Sequence, residues 1–278
     1  LHFMGGSDAI LREAYSSLDQ FWSDLVEVYR SEFAALRAAG CTYLQIDETS
    51  LVKFGDPEIR AIIERRGDDW RKLVETYVDV INAVLSSAPS GMTVGIHVCR
   101  GNRKGFWQAD AGYEFMADQL FRRLKAQFYF LEFDSPRAGP LEALKLMPDD
   151  KTVVLGLITT KSPELEDKAA LKKRIREASA YVGMDRLCLS PQCGFSGNVG
   201  NTVMNADQQF ARLRLLVETA RVLARPGDRA VIGPSTDGGY YLLGIKKPHR
   251  GLFEDITWST EHVMRQTLQR AGELGIDV

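Results

Sequence analysis

The feature that most constrains this sequence is a repeated alternation of two textures. From residue 11 to about residue 223, amphipathic helical stretches are followed by short apolar runs that end in polar residues. Helical periodicity covers 18–38, 69–87, 111–126, 164–181 and 205–223. The intervening runs are "TYLQIDETS", "MTVGIHVCRGN", "FYFLEFDS", "KTVVLGLITTKSP" and "RLCLSPQCGF". Near-continuous apolar strands are expected where a parallel sheet is buried on both faces by helices. About five strand–helix units in series therefore predict an α/β chain. Asp47, His97, Cys99, Glu132, Lys161 and Cys193 all fall at the C-terminal ends of the runs. Chemistry sits at that end both in a (β/α)₈ barrel and in a doubly wound sheet, so the pattern leaves these two folds open.

Within 18–38 the stripe Leu18, Phe21, Leu25, Tyr29 and Leu36 is expected to face inward, and Gly40 to stop the helix. Within 69–87 the inward set is Trp70, Leu73, Tyr77, Ile81, Val84 and Leu85. The texture changes at "ARPGDRA", residues 224–230, which suggests a division into 1–225 and 226–278. The second part reads as a short α/β tail. It has two apolar runs around a Gly-rich turn, then a helix over 259–274 with Val263, Leu268, Ala271 and Leu274 as its apolar positions. Ser259 or Thr260 is the expected cap of that helix.

Composition narrows the partners. A formal net charge of -2 gives no electrostatic case for nucleic acid, and no apolar run is long enough to span a bilayer. The start, "LHFMGGSDAI", lacks the pattern of a signal peptide, which predicts a cytoplasmic protein. It also lacks an initiator Met, which suggests a chain cut from something longer. Four cysteines do not make a disulfide scaffold in a chain of this size. Cys41 and Cys188 are expected in the core.

His97 and Cys99 are two apart on one run, so they point to the same side of a strand. Alone this is a weak pattern. Glu132 ends the next strand, and Cys193 lies in a Pro-Gln-Cys-Gly turn, a poor place for a core cysteine. One imidazole, two thiols and one carboxylate suit tetrahedral Zn²⁺. A zinc–thiolate site can take up a substrate thiol and lower its pKa, which activates it for alkyl transfer. Glu132 could instead pair with Arg137, and Arg100 could steer an anionic substrate or cap its strand end.

"YLQIDETSL", "GIHVCRGN", "YFLEFDSPRAG", "VVLGLITTKSPELE" and "LCLSPQCGF" together resemble the C-terminal catalytic barrel of cobalamin-independent methionine synthase, and most closely its shorter single-barrel relatives. The resemblance implies His97, Cys99, Glu132 and Cys193 as zinc ligands. It implies substrate contacts at Asp47, toward the amino group of homocysteine, and at Gln45 in the same "QIDE" segment. The implied reaction moves a methyl group from 5-methyltetrahydrofolate to the homocysteine thiolate. Small molecules are the expected partners, with no nucleic acid and no membrane. The family's "IHSP" histidine is replaced by Lys161 in "TTKSP". Lysine is a poor proton shuttle unless desolvated, so Lys161 is expected to meet a substrate carboxylate, phosphate or sulfonate. An epoxyalkane:coenzyme M transferase-like enzyme is the related alternative.

Only about five of the eight strands of such a barrel are represented, so a partial barrel with impaired turnover is expected. The tail's "VIGPSTDGGYYLLGI" and "LFEDITWSTEHV" resemble the C-terminal part of a glycosyltransferase-A-like family. That makes Asp237 a possible metal or acceptor contact, against a plain strand turn at Gly238 and Gly239. A glycosyl or nucleotidyl transferase, or a non-catalytic chimera, are the remaining readings.

Overall fold

The computed structural model describes residues 2–10, 13–102, 107–196, 203–220, 223, 230–234, 240–245, 249–258 and 260–276. Five strands form one sheet: β1 (Tyr43–Glu48), β2 (Thr93–Val98), β3 (Phe128–Glu132), β4 (Thr152–Ile158) and β5 (Leu187–Pro191). They pair in sequence order, and every pair is parallel. Sequential order without reversal is the wall of a (β/α)₈ barrel, whereas a doubly wound sheet reverses its order. The sheet is not closed on itself by hydrogen bonds among the described residues. A hairpin, β6 (Ala230–Pro234) and β7 (Tyr240–Ile245), forms a separate antiparallel pair. Its β7 lies near β5 and its β6 near β1, so both edge strands of the sheet have a neighbour.

The helices are α1 (His2–Gly5), α2 (Leu18–Ala38), α3 (Pro57–Arg65), α4 (Trp70–Ser86), α5 (Lys168–Ala178), α6 (Ala206–Ala220) and α7 (Val263–Glu273). Local chemistry starts them. Ser17, Asp56, Asp69 and Asp167 each accept a first-turn N–H at α2, α3, α4 and α5. At α6, Asn205 and Gln208 exchange backbone N–H bonds to side-chain oxygens at 2.9 Å each, a reciprocal cap. Gly40 ends α2 at φ +98°, as expected.

Three expectations are corrected. The segment 111–126 is not a regular helix: only Asp118–Arg123 closes into a wide π-helical turn. The cause is tertiary, because the Tyr113 N–H donates to Ala138 O and its hydroxyl is drawn under β2 and β3. In α2 the inward stripe is rotated to Trp22, Val26, Phe33 and Leu36, and Tyr29 is exposed. In α7, Val263, Thr267 and Ala271 are buried while Leu268 and Leu274 are exposed. That helix starts after His262 without a side-chain cap, and Ser259 lies outside the described residues. A further helix, α3, stands between β1 and α4 where none was expected.

The helix-facing side of the sheet is a single apolar core containing Val94, Ile96, Leu131, Val153, Leu155 and Leu189. Tyr77, Val84 and Leu85 of α4 are buried in it, with Trp70, Leu73 and Ile81 packed against it. Burial of each such side chain contributes about 1.5–3 kcal/mol. Ile245, Leu252, Ala271 and Ile276 from the tail belong to the same core. The opposite face holds a small cluster of Phe130, Val154 and Cys188, with Tyr43 and Phe128 beside it. Cys188 is thus a core residue, while Cys41 is half-buried with its Sγ 2.9 Å from Tyr43 O. No described helix is long and apolar enough to cross a membrane.

Candidate metal centre

The strand register builds the site. Asp47 of β1 is paired with His97 of β2, and Glu132 of β3 with Gly156 of β4. Cys99 follows directly on β2. The β4–β5 register shifts between Gly156 and Ile158, and the Gln192 N–H bonds Ile158 O at 2.7 Å. This irregularity carries the 191–194 turn over the strand ends, as bulges beside sites commonly do. The ligand atoms of His97, Cys99, Glu132 and Cys193 lie within 4.8 Å of one another. All four residues expected as ligands are therefore brought together.

The donor set fits a metal ion. His97 Nε2 is buried and has no hydrogen-bond partner among the described residues. It stands 3.8 Å from Glu132 Oε1 and 4.0 Å from Asp47 Oδ1. An orphaned buried nitrogen normally costs free energy, so such a group calls for a partner. The sulfurs of Cys99 and Cys193 are 3.9 Å apart, far beyond a disulfide. Two thiolates at ~2.3 Å from one tetrahedral ion would be separated by ~3.8 Å.

Protonation follows from crowding. The hydrogen bond to Cys193, then burial, pushes the Cys99 thiol far up. Burial opposes charge on His97, but its contacts with Cys99 and the Asp47 and Glu132 carboxylates outweigh this and hold it at about 9. A cation placed among these groups would displace the protons.

Around the four lies a set of buried supports. Glu132 Oε1 accepts from Gln192 Nε2 at 2.6 Å, and Oε2 accepts from the Arg100 N–H at 3.1 Å and Arg100 Nη1 at 3.3 Å. Arg100 also donates to Ala111 O and to the Tyr113 hydroxyl, whose ring lies under its guanidinium. Its side chain is 1% exposed, so it does not steer a substrate from solvent, while its Nη1 donates to Glu132 O at the end of β3 at 3.1 Å. Arg137 pairs with Asp110, not with Glu132. Arg100, Gln192 and Tyr113 were invisible as supports in the sequence. Gln192 and Arg100 do adjoin the motif cysteines Cys193 and Cys99, which is the one available signal.

Of the expected substrate contacts, Asp47 is exposed at the mouth, its side chain 58% accessible. Gln45 is buried on the same strand, with Oε1 unpartnered among the described residues. Lys161 Nζ bonds Asn102 Oδ1 at 2.6 Å and Gly101 O at 3.4 Å. Asp237 lies outside the described residues.

Comparison with known proteins now bears on this geometry. The family described as "Cobalamin-independent synthase, catalytic domain" matches residues 3–221. The chain belongs to that family. The cobalamin-independent synthase match covers every residue of the four-ligand group. Among relatives, the uncharacterized protein YxjH of Bacillus subtilis is 35% identical over 207 residues, 74% of this chain and 55% of YxjH. YxjG of the same organism is 38% identical over 201 residues, 72% of this chain and 53% of YxjG. The methionine synthase of Thermococcus kodakarensis is 26% identical over 182 residues, 66% of this chain and 45% of that protein. The chain therefore spans about half the length of the curated relatives it matches. Among solved structures, one described as a candidate vitamin-B12-independent methionine synthase from Listeria monocytogenes aligns at TM-score 0.55 and 33% identity, covering 75% of this chain and 55% of that one. A B12-independent methionine synthase from Shewanella aligns at TM-score 0.53 and 20% identity, a likeness of fold alone.

Proposed function

We propose that this chain carries the zinc-holding, thiol-activating half of a methyltransferase that methylates homocysteine from 5-methyltetrahydrofolate. The observation that carries the reading is the convergence of His97, Cys99, Glu132 and Cys193 at the strand ends of a cobalamin-independent synthase catalytic domain. Zn²⁺ held by these four residues supplies a Lewis acid that keeps a thiol deprotonated near neutral pH. In the transfer the sulfur gains the methyl group, the donor's N–CH₃ bond breaks, and the donor nitrogen takes up a proton.

The chain's own residues do the positioning. Arg100 and Gln192 hydrogen-bond the two oxygens of Glu132 and so orient that carboxylate beside His97. Asp47, exposed at the mouth and next to His97, accepts a substrate amino group. The unpartnered Oε1 of Gln45 offers a second acceptor on the same strand face. Lys161 has three N–H donors and spends two on Asn102 and Gly101, which leaves one for an anionic substrate group. A reducing cytoplasm suits the paired free thiols.

The matched stretch is about half of each relative, so turnover by this chain alone is expected to be weak. On the same reading residues 226–278, which lie beyond the family match, are a C-terminal segment of another family type packed onto the same core. Metal analysis of the purified chain tests the central claim. About one Zn²⁺ per chain is expected, and its loss in His97→Ala and in Cys193→Ala. A chain that takes up no zinc overturns the reading, and robust methyl transfer to homocysteine overturns the expected weakness.

A further inference from the structure

The four ligands come from β2, β3 and the turn after β5, yet the sheet that carries them is not closed by strand pairing among the described residues. Beside the strand pairing and the Gln192–Glu132 bond, a direct link from the β5 turn to the end of β2 would fix the spacing of the two cysteines. Asn102 is placed to do this. Its Nδ2 donates to Gly194 O at 2.9 Å and approaches Cys193 Sγ at 3.8 Å. Asn102 lies three residues beyond Cys99, so one amide links the turns that bear the two cysteines. The other side of that amide is also held: Asn102 Oδ1 accepts from Lys161 Nζ at 2.6 Å, and Lys161 reaches Gly101 O at 3.4 Å. Lys161 follows β4, between the two turns in the sheet order.

The cation orients the amide. With Oδ1 bound to an ammonium, the NH₂ group must face the opposite way, toward the 193–194 turn. A charge-assisted bond of this kind is about twice as strong as a neutral one.

We propose that Lys161 and Asn102 form a strap across the ends of β2, β4 and β5 that sets the position of Cys193. Both are positioning residues: they act on the metal through a ligand. The strap gives the replacement of the family histidine by Lys161 a role in metal holding, distinct from substrate contact. It rests on the reading of the four residues as a metal centre.

Co²⁺ titration of the purified full chain tests the strap, because thiolate ligation gives sulfur-to-cobalt charge-transfer bands. Asn102→Ala is expected to lower Co²⁺ and Zn²⁺ affinity by about 10-fold or more, within the range typical of outer-shell partners. It should also shift the charge-transfer band, which a loss of folding stability alone would not do. Lys161→Met should weaken affinity less and add little in the Asn102→Ala background, since the two residues act as a unit. Lys161→Arg should restore much of the loss by keeping a cationic donor to Oδ1. Lys161→Met is at a half-buried position, so it keeps the test open if Asn102→Ala does not fold. A wild-type chain that binds no Co²⁺ overturns the metal reading and the strap together. Wild-type binding with unchanged affinity and bands in Asn102→Ala, or in Lys161→Met where Asn102→Ala does not fold, overturns the strap alone.

Discussion

Gln192 reaches across β4 to donate its side-chain amide to Glu132 Oε1 at 2.6 Å. The residue it crosses is Gly156, which is paired with Glu132 on one side and with Ser190 on the other. A Cβ on Gly156 would lie 2.8 Å from Leu131 O and 3.0 Å from Gln192 Cα. The missing side chain is therefore what lets a group after β5 touch a group on β3.

Gly156→Ala is expected to destabilise the fold by about 1–3 kcal/mol, because the clashing atoms are backbone and cannot rotate away. Zn²⁺ affinity should fall with it, as the Gln192–Glu132 bond is pushed apart. Urea unfolding and chelator competition measure the two effects. Unchanged values in both would show that the turn relaxes freely.

Gln192→Leu keeps bulk but removes the donor to Glu132 and the acceptor for the Thr160 hydroxyl. Zn²⁺ affinity is expected to drop by about 10-fold. Competition with a calibrated chelator reads this, and wild-type affinity would remove Gln192 from the support of the centre.

Arg100→Met removes the cation beside a buried carboxylate, both side chains being 1% exposed. Breaking a buried pair from one side costs about 3–5 kcal/mol. Denaturant midpoints of the metal-free chain are the measurement. A cost below about 1 kcal/mol, the scale of an exposed ion pair, would count against the clamp.

Metal uptake should strengthen with rising pH. The Cys99 thiol is pushed far up by its hydrogen bond to Cys193 and by burial, so it carries its proton at pH 7 in the metal-free chain. Each proton displaced makes apparent affinity rise by about tenfold per pH unit. Zn²⁺ titrations from pH 6 to pH 8, with proton release followed in weak buffer, test this. An affinity independent of pH would mean that the ligands are already deprotonated.

Glu48 gives the fold a pH dependence of its own. Burial raises its carboxyl to about 7 from an ordinary 4.5, against the Ser50 and Leu51 N–H groups that bond it. Between these values the folded chain binds the proton more tightly than the unfolded chain. Its contribution is fully present below about pH 4.5 and is lost as pH rises through about 7, amounting to about 3 kcal/mol. Glu48→Gln should flatten that part of the stability–pH curve. A curve with wild-type slope would assign the dependence elsewhere.

The sequence by itself determined the layered α/β plan and pointed to the four residues that the fold brings together. Apolar runs at 93–98, 128–132, 152–158 and 187–191 are buried almost throughout and the edge run 43–46 partly, and that requirement is written locally in residue type. His97 and Cys99 share a strand face for the same local reason. Segment 111–126 shows where this ends: its periodicity is helical, yet Tyr113 is used to hold the Glu132 N–H and the Arg100 guanidinium. Only the tertiary structure decided that Arg100 is a clamp, that Gln192 reaches Glu132, and that Lys161 holds Asn102. Those partners are 32, 60 and 59 residues apart in the chain. Periodicity reports which face of an element is apolar. Which polar groups meet is fixed by strand register and by the β4–β5 irregularity, and these follow from packing the whole sheet.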